Sequence, residues 1–136
     1  MNEKIIENLI SKALNAETFA YNPYSKFSVG SALLCKDGEI FTGCNIENSS
    51  FSGTICAERV AFSKAISSGE KNFSAICVTG ILNNKNDNRD FCTPCGICRQ
   101  FMAEFCDENF IIIVAKNKSD YKCFTLKQLL PESFDF

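Results

Sequence analysis

Residues 55–81 read ICAERVAFSKAISSGEKNFSAICVTGI, and the hydrophobic period changes inside this stretch. From Ile55 to Ser68 the apolar residues Val60, Ala61, Ala65 and Ile66 fall on one helical face, and Gly69 stands just past the end, where a helix closes in the left-handed conformation. From Phe73 to Ile81 the run is apolar and rich in β-branched residues, which predicts a buried strand. The pattern then repeats. Cys95–Phe105 reads as a helix that begins after Pro94, and Phe110–Ala115 as a second buried strand. Helices alternating with strands in mid-chain predict an open sheet covered by helices.

Upstream, Ile5, Ile6, Leu9, Ile10, Ala13 and Leu14 make a helical stripe within residues 2–21. Asn22-Pro23 stops it, because proline disfavours helix in the residue before it. Phe27–Lys36 and Glu39–Asn45 flank Asp37-Gly38, a strong hairpin signal. Downstream, Tyr121–Thr125 is expected as an edge strand and Leu126–Leu130 as a short helix stopped by Pro131. The expected order is helix, hairpin, helix, strand, helix, strand, strand, helix. Residues 83–90 form the one markedly polar loop. The two helices that start near Cys56 and Cys95 each follow a strand and a loop, so both can project to one sheet edge, where ligands bind in such folds.

The 136 residues suit one domain, with 46% hydrophobic and 22% charged residues, which excludes a disordered chain. The net charge of -2 and the sequence pI of 5.2 speak against a polyanionic partner such as nucleic acid. No apolar run approaches the ~20 residues that span a bilayer. Glu3, Glu7 and Glu17 interrupt any signal-like stretch, so a cytoplasmic location is expected. There are nine cysteines and no histidine. The missing histidine removes Ser-His-Asp and Cys-His catalysis. Any transition-metal site must then rest on thiolates. Cys35, Cys77, Cys106 and Cys123 are expected as plain core residues, since free cysteine packs as a small hydrophobe.

Two short stretches carry chemistry: Cys56-Ala57-Glu58-Arg59 and Pro94-Cys95-Gly96-Ile97-Cys98-Arg99-Gln100. A Cys-x-x-Cys pair at a helix start puts both sulfurs on one side. It fits a redox pair, a closed four-cysteine zinc site with Cys92 as fourth ligand, or a three-cysteine zinc site with one position left for water. The third reading gives Glu58 a role: two residues beyond Cys56, it is placed to move protons rather than to bind metal. Helix N-termini favour thiolate over thiol. Three thiolates on one zinc leave a net negative charge, which Arg59, Arg99 or both would offset by donating hydrogen bonds to sulfur.

Cys-Ala-Glu followed, 39 positions after Cys56, by Pro-Cys-x-x-Cys resembles the zinc cytidine/deoxycytidylate deaminase superfamily. Within it the match is to free cytidine deaminases of the small, all-cysteine type. It is carried by Tyr24-Ser25-Lys26-Phe27, Gly43-Cys44-Asn45-Ile46-Glu47-Asn48, the two stretches above and Leu129-Leu130-Pro131. The resemblance implies a three-layer α/β/α domain over residues 1–136 with a mixed sheet of about five strands. It implies one zinc per subunit on Cys56, Cys95 and Cys98, with Glu58 as proton shuttle. Asn45 and Glu47 would bind ribose hydroxyl, Phe27 would pack on the nucleoside, and the Ala57 backbone would read the pyrimidine edge. Phe134 would reach the site of a neighbouring subunit in a homotetramer. The implied reaction is hydrolytic deamination of cytidine and 2′-deoxycytidine in pyrimidine salvage.

Some features depart from the family pattern. Phe51 stands where relatives often have tyrosine, residues 83–90 make a longer loop than usual, and the tail ends at Phe136. Three rival readings are a deaminase of an aminonucleoside such as blasticidin S, a polynucleotide deaminase, and a non-catalytic zinc-stabilised binding module. Asn45, Glu47 and Arg59 argue against the first and the acidic pI against the second. The third requires four protein ligands and a dispensable Glu58.

Overall fold

The first helix starts because Asn2 caps it, its Oδ1 accepting from the Ile5 amide at 2.9 Å. In the computed structural model, which describes residues 1–83 and 88–136, this helix, α1, spans Glu3–Glu17. The stripe predicts helix as far as residue 21. Instead the chain tightens, with the Phe19 amide on Ala16 carbonyl at 3.0 Å, and leaves so that Tyr21 bridges Ile46. The Tyr21 amide donates to Asn45 carbonyl at 3.0 Å and Tyr21 carbonyl accepts from the Glu47 amide at 2.8 Å. Pairing with a distant segment overrides the local helical preference.

The strands are β1 (Phe27–Cys35), β2 (Ile40–Cys44), β3 (Phe73–Leu82), β4 (Ile111–Asn117) and β5 (Asp120–Thr125). They form one mixed sheet in the order β2-β1-β3-β4-β5, in which β3 and β4 are parallel and the other pairs antiparallel. The helices α2 (Ala57–Ser67) and α3 (Gly96–Phe105) and the single turn α4 (Leu126–Leu129) complete the fold, with a short 3₁₀ turn at Phe51–Gly53. Of the polar loop 83–90, residues 84–87 lie outside the described residues.

Alternation along the strands builds three layers. Leu33, Ile76, Val78, Ile112 and Val114 face one side, where Phe62 of α2 and Cys98 and Met102 of α3 cover them. Ala32, Cys77, Ile113 and Ala115 face the other, covered by Ile6, Leu9, Ile10 and Ala13 of α1. Successive side chains point to opposite faces, so the apolar runs of β3 and β4 serve both cores. On α2, Ala61 and Ala65 are buried as expected, but the fully buried large side chain is Phe62 and Ile66 only flanks the core. Cys35 and Cys77 are core residues and Cys106 flanks the core. Cys123 is not in the core: it sits exposed on β5, an edge strand that no further strand covers.

Two glycines let the helices sit close on the sheet. A Cβ on Gly43 of β2 would collide with the Ala57 carbonyl and lie 2.7 Å from the Ala61 amide nitrogen of α2. The first turn of α2 therefore rests on bare backbone. Gly43→Ala is expected to lower stability by about 1–3 kcal/mol, as overpacking does. It should also displace that turn, so thermal unfolding and metal content should fall together.

Candidate active site

Each of the two short stretches begins a helix. Cys56 is the N-cap of α2 and Cys95 the N-cap of α3, both extended and neither using its side chain to cap. Their sulfurs are thus free for other work at the positive ends of two helices. Cys98 lies in the first turn of α3, fully buried. The structure brings Cys56, Cys95 and Cys98 together, with ligand atoms within 4.8 Å of one another and Cys56 Sγ 3.9 Å from Cys95 Sγ. A tetrahedral zinc with bonds of about 2.3 Å sets its sulfurs about 3.8 Å apart, so this donor set fits zinc. Cys92 is not in the group: its side chain packs over Gly80. Burial pushes the Cys92 thiol up to about 12, so it is a poor thiolate donor.

The first proton leaves this cluster easily. A hydrogen bond from the Cys98 thiol, and then the Arg59 guanidinium, bring Cys56 down to about 5. Arg59 Nη2 lies 3.5 Å from Cys56 Sγ. Once Cys56 is charged, its hydrogen bond with Cys98 and the burial of Cys98 hold that thiol well above its ordinary value. A dication reverses that balance by offsetting two of the three thiolate charges, and Arg59 stands beside the charge that remains. Of the two arginines expected at sulfur, Arg59 takes that place and Arg99 does not. Arg99 donates through Nε to Pro94 carbonyl at 2.7 Å and through Nη1 to Leu129 carbonyl at 2.6 Å. It fastens the turn before Cys95 to the Leu129-Leu130-Pro131 segment, a structural use of the second motif.

Glu58 follows Cys56 by two positions and is 4% exposed. Burial raises its carboxyl to about 7, the Cys56 thiolate adding to the shift, while a backbone amide opposes it. A buried carboxyl titrating near neutrality both accepts and delivers a proton at working pH. The same shift has a thermodynamic sign. With a folded value above the ordinary 4.5, Glu58 contributes stability below pH 4.5 that is lost as pH rises through about 7. Metal-free Glu58→Gln, which cannot titrate, should therefore gain on metal-free wild type between those pH values. The gain should reach about 3 kcal/mol, checked by denaturant unfolding with chelator at pH 5 and pH 8.

Asn45 and Glu47 lie just past the end of β2, which stops at Cys44, rather than within a strand. Both are engaged with backbone. Asn45 Oδ1 accepts from the Val29 amide at 2.9 Å and Nδ2 donates to Phe27 carbonyl at 2.8 Å. Glu47 Oε1 accepts from the amides of Tyr24 and Ser25 at 2.9 and 3.1 Å. The Ser25 hydroxyl, burial and those amides set its titration, with a net shift below the ordinary value. Each side chain keeps further hydrogen-bonding capacity for a ligand, and each is held rigid by the bonds it has made. Glu47 lines a shallow depression of about 450 Å³ with Tyr24, Ser25, Phe51 and Thr54. Phe51 is 74% exposed and packs edge-on against Tyr24 at 5.6 Å. Phe27 is half-buried and packs on Gly80.

Phe134 stands apart, 64% exposed on the outer side of α3 with Ile97 and Phe101, its carbonyl taking a bond from Gln100 Nε2 at 3.3 Å. One positioning residue escaped the sequence reading. Ser31, fully buried on β1, donates its hydroxyl to Ala57 carbonyl at 2.8 Å and so fixes the first turn of α2. A serine amid apolar strand residues is the only signal it leaves. Among the described residues no helix is long and apolar enough to cross a membrane.

The family model for the cytidine and deoxycytidylate deaminase zinc-binding region matches residues 3–114. The cytidine deaminase of Sporosarcina psychrophila is 46% identical over 129 residues, covering 95% of this chain and 90% of that one. The blasticidin-S deaminase of Bacillus cereus is 30% identical over 125 residues, covering 90% of this chain and 87% of that one. The crystal structure of the cytidine deaminase of Burkholderia pseudomallei superposes with a TM-score of 0.83 at 38% identity, covering 93% of this chain and 97% of that one. With the three-sulfur cluster at two helix starts, the mixed five-stranded sheet between helical layers and this match over most of its length, the chain belongs to the cytidine and deoxycytidylate deaminase zinc-binding family.

Proposed function

We propose that this protein hydrolytically deaminates cytidine and 2′-deoxycytidine to uridine and 2′-deoxyuridine, releasing ammonia. The observation that carries the reading is the buried Glu58 carboxyl, raised to about 7, beside three converging sulfurs. Cys56, Cys95 and Cys98 would hold one zinc per subunit. The chemistry zinc supplies when bound is Lewis acidity, which lowers the pKa of water to about 7. Glu58 takes a proton from the attacking water and passes it to N3 as the C4–O bond forms. It then takes the remaining proton of the new C4 hydroxyl and passes it to the amine as the C4–N bond breaks and ammonia leaves. Its burial keeps it from being lost to solvent as a permanent anion. Arg59, donating to Cys56, offsets the excess negative charge of the thiolates.

Substrate contacts follow from the rigid groups around the cluster. Asn45 and Glu47 would bind ribose hydroxyl with the capacity left after their backbone bonds, and Phe27 would pack against the nucleoside. The Ala57 backbone, held by Ser31, would read the pyrimidine edge. Phe134, outward on α3, would serve a neighbouring subunit's site, consistent with a homotetramer whose sites lie at subunit interfaces. A single domain acting in the cytoplasm on salvaged nucleosides completes the reading. It names no nucleic-acid or membrane partner.

Purified protein incubated with cytidine, and separately with 2′-deoxycytidine and blasticidin S, is expected to lose the ultraviolet absorbance of the two nucleosides at the higher kcat/KM. Turnover confined to blasticidin S would replace the substrate assignment. No turnover of any of the three at full zinc occupancy would overturn the deaminase reading.

A further inference from the structure

Arg89 is fastened by a part-buried ion pair. Arg89 meets Glu17 with both of its terminal nitrogens, Nη1 on Oε2 at 2.8 Å and Nη2 on Oε1 at 2.7 Å. The side chains are only 14% and 6% exposed. Nη1 also reaches Gly80 carbonyl at 3.4 Å. Glu17 is a firm anchor, because the end of α1 lies so close on β1 that a Cβ on Gly30 would collide with Ala13 carbonyl and meet Glu17 backbone. A paired fork of this kind fixes orientation as well as distance.

Three side chains converge on Gly80. Arg89 bonds its carbonyl, while a Cβ placed there would lie 2.8 Å from Phe27 Cε1 and 2.9 Å from Cys92 Sγ. Phe27, the aromatic assigned to the nucleoside, therefore rests on a backbone patch shared with the arm that runs from Arg89 to Cys92. The other end of the loop is held to the same region. Asn83 Oδ1 accepts from Ser28 Oγ at 2.6 Å, and its amide donates to Lys26 carbonyl at 2.7 Å.

We propose that Glu17 and Arg89 are positioning residues that set the Phe27–Cys92 wall of the nucleoside pocket. The proposal rests on the reading of Phe27 given above. The bonds named above tie Glu17 and Arg89 to each other and to Gly80, on the side where Phe27 packs, so the pair is expected to act on binding in the ground and transition states alike.

Arg89→Met, Arg89→Lys and the double variant Glu17→Leu with Arg89→Leu test this. The double variant removes both charges, which leaves no buried ion unpaired if the single variant fails to fold. Expected for Arg89→Met or the double variant is a KM for cytidine raised roughly tenfold at unchanged kcat and zinc content, the signature of lost uniform binding. Arg89→Lys should recover part of it, since lysine keeps the charge but not the fork. Amide exchange at residues 22–28 and 89–95 should quicken in the same variants. Unchanged KM with unchanged exchange overturns the proposal. So does a loss of zinc and kcat together, which would make the pair merely structural. If wild type turns over no aminonucleoside, the function reading fails alone, and the exchange rates still decide whether the pair orders the Phe27 wall.

Discussion

Glu58→Gln should retain zinc and nucleoside binding while losing about 10²–10⁴-fold or more in kcat, the share of the rate that a positioned acid–base group supplies. Gln has the shape of Glu and keeps polar atoms in a site that is 4% exposed. What it lacks is a proton that can be taken and returned. The carboxyl sits near neutrality because burial penalises its charge, with the Cys56 thiolate adding to the effect. Both protonation states are therefore within reach in one turnover. The measurement is kcat by ultraviolet absorbance beside zinc by atomic absorption and cytidine affinity by calorimetry. Loss of activity with full zinc and unchanged affinity is expected. A variant that keeps wild-type kcat would remove Glu58 from the chemistry and assign the proton transfer to another group. The stability gain expected of the same variant above neutrality runs opposite to its loss of rate, as strain held at an active site implies.

The second large effect concerns the metal. Cys95→Ser should leave two of the three sulfurs, fewer protein ligands than catalytic zinc sites use, and zinc content after dialysis against a weak chelator should drop by roughly tenfold or more. Cys95 is exposed and caps α3 without a side-chain bond, so its loss opens no core cavity. Cys98 is a harsher site, since it is fully buried in the core beside Met102. Acid should release the metal from wild type as well. Zinc ligation requires the thiols to ionise, and the hydrogen bond with Cys56 and burial hold the Cys98 thiol well above its ordinary value, so protons compete with zinc increasingly as pH falls. Zinc retained by Cys95→Ser at wild-type level, with activity intact, would move the metal to another donor set.

Much of this architecture is legible in the residues. The change from helical to strand period between Ile55 and Ile81, repeated from Cys95 to Ala115, specifies alternating elements, because period alone decides which face meets the core. The two short motifs name the sulfurs and Glu58, because metal ligation and proton transfer restrict residue type and spacing more tightly than packing does. The misses have physical causes as well. The helix expected to reach residue 21 stops at Glu17 because Tyr21 finds a strand partner in Ile46, 25 positions away. Cys123 reads as core because free cysteine packs as a small hydrophobe, yet the strand that carries it, expected at an edge, does lie at the edge and leaves it exposed. Arg59 and Arg99 are equivalent in sequence, each next to a site residue, and only their side-chain directions separate a sulfur partner from a carbonyl clamp.

What the amino-acid sequence determined by itself is the set of elements and the chemical cast: three thiols, one carboxyl and no histidine, at two helix starts. Those are local properties, encoded in periodicity, caps and spacing. What the tertiary structure alone decided is which groups meet. The strand order β2-β1-β3-β4-β5 brings Cys56 to 3.9 Å from Cys95. Ser31 is set under Ala57 and Arg89 on Glu17, 72 positions apart in the chain. Contacts of that kind depend on closing long loops against a shared core, and their energy is not present in any short window of the sequence.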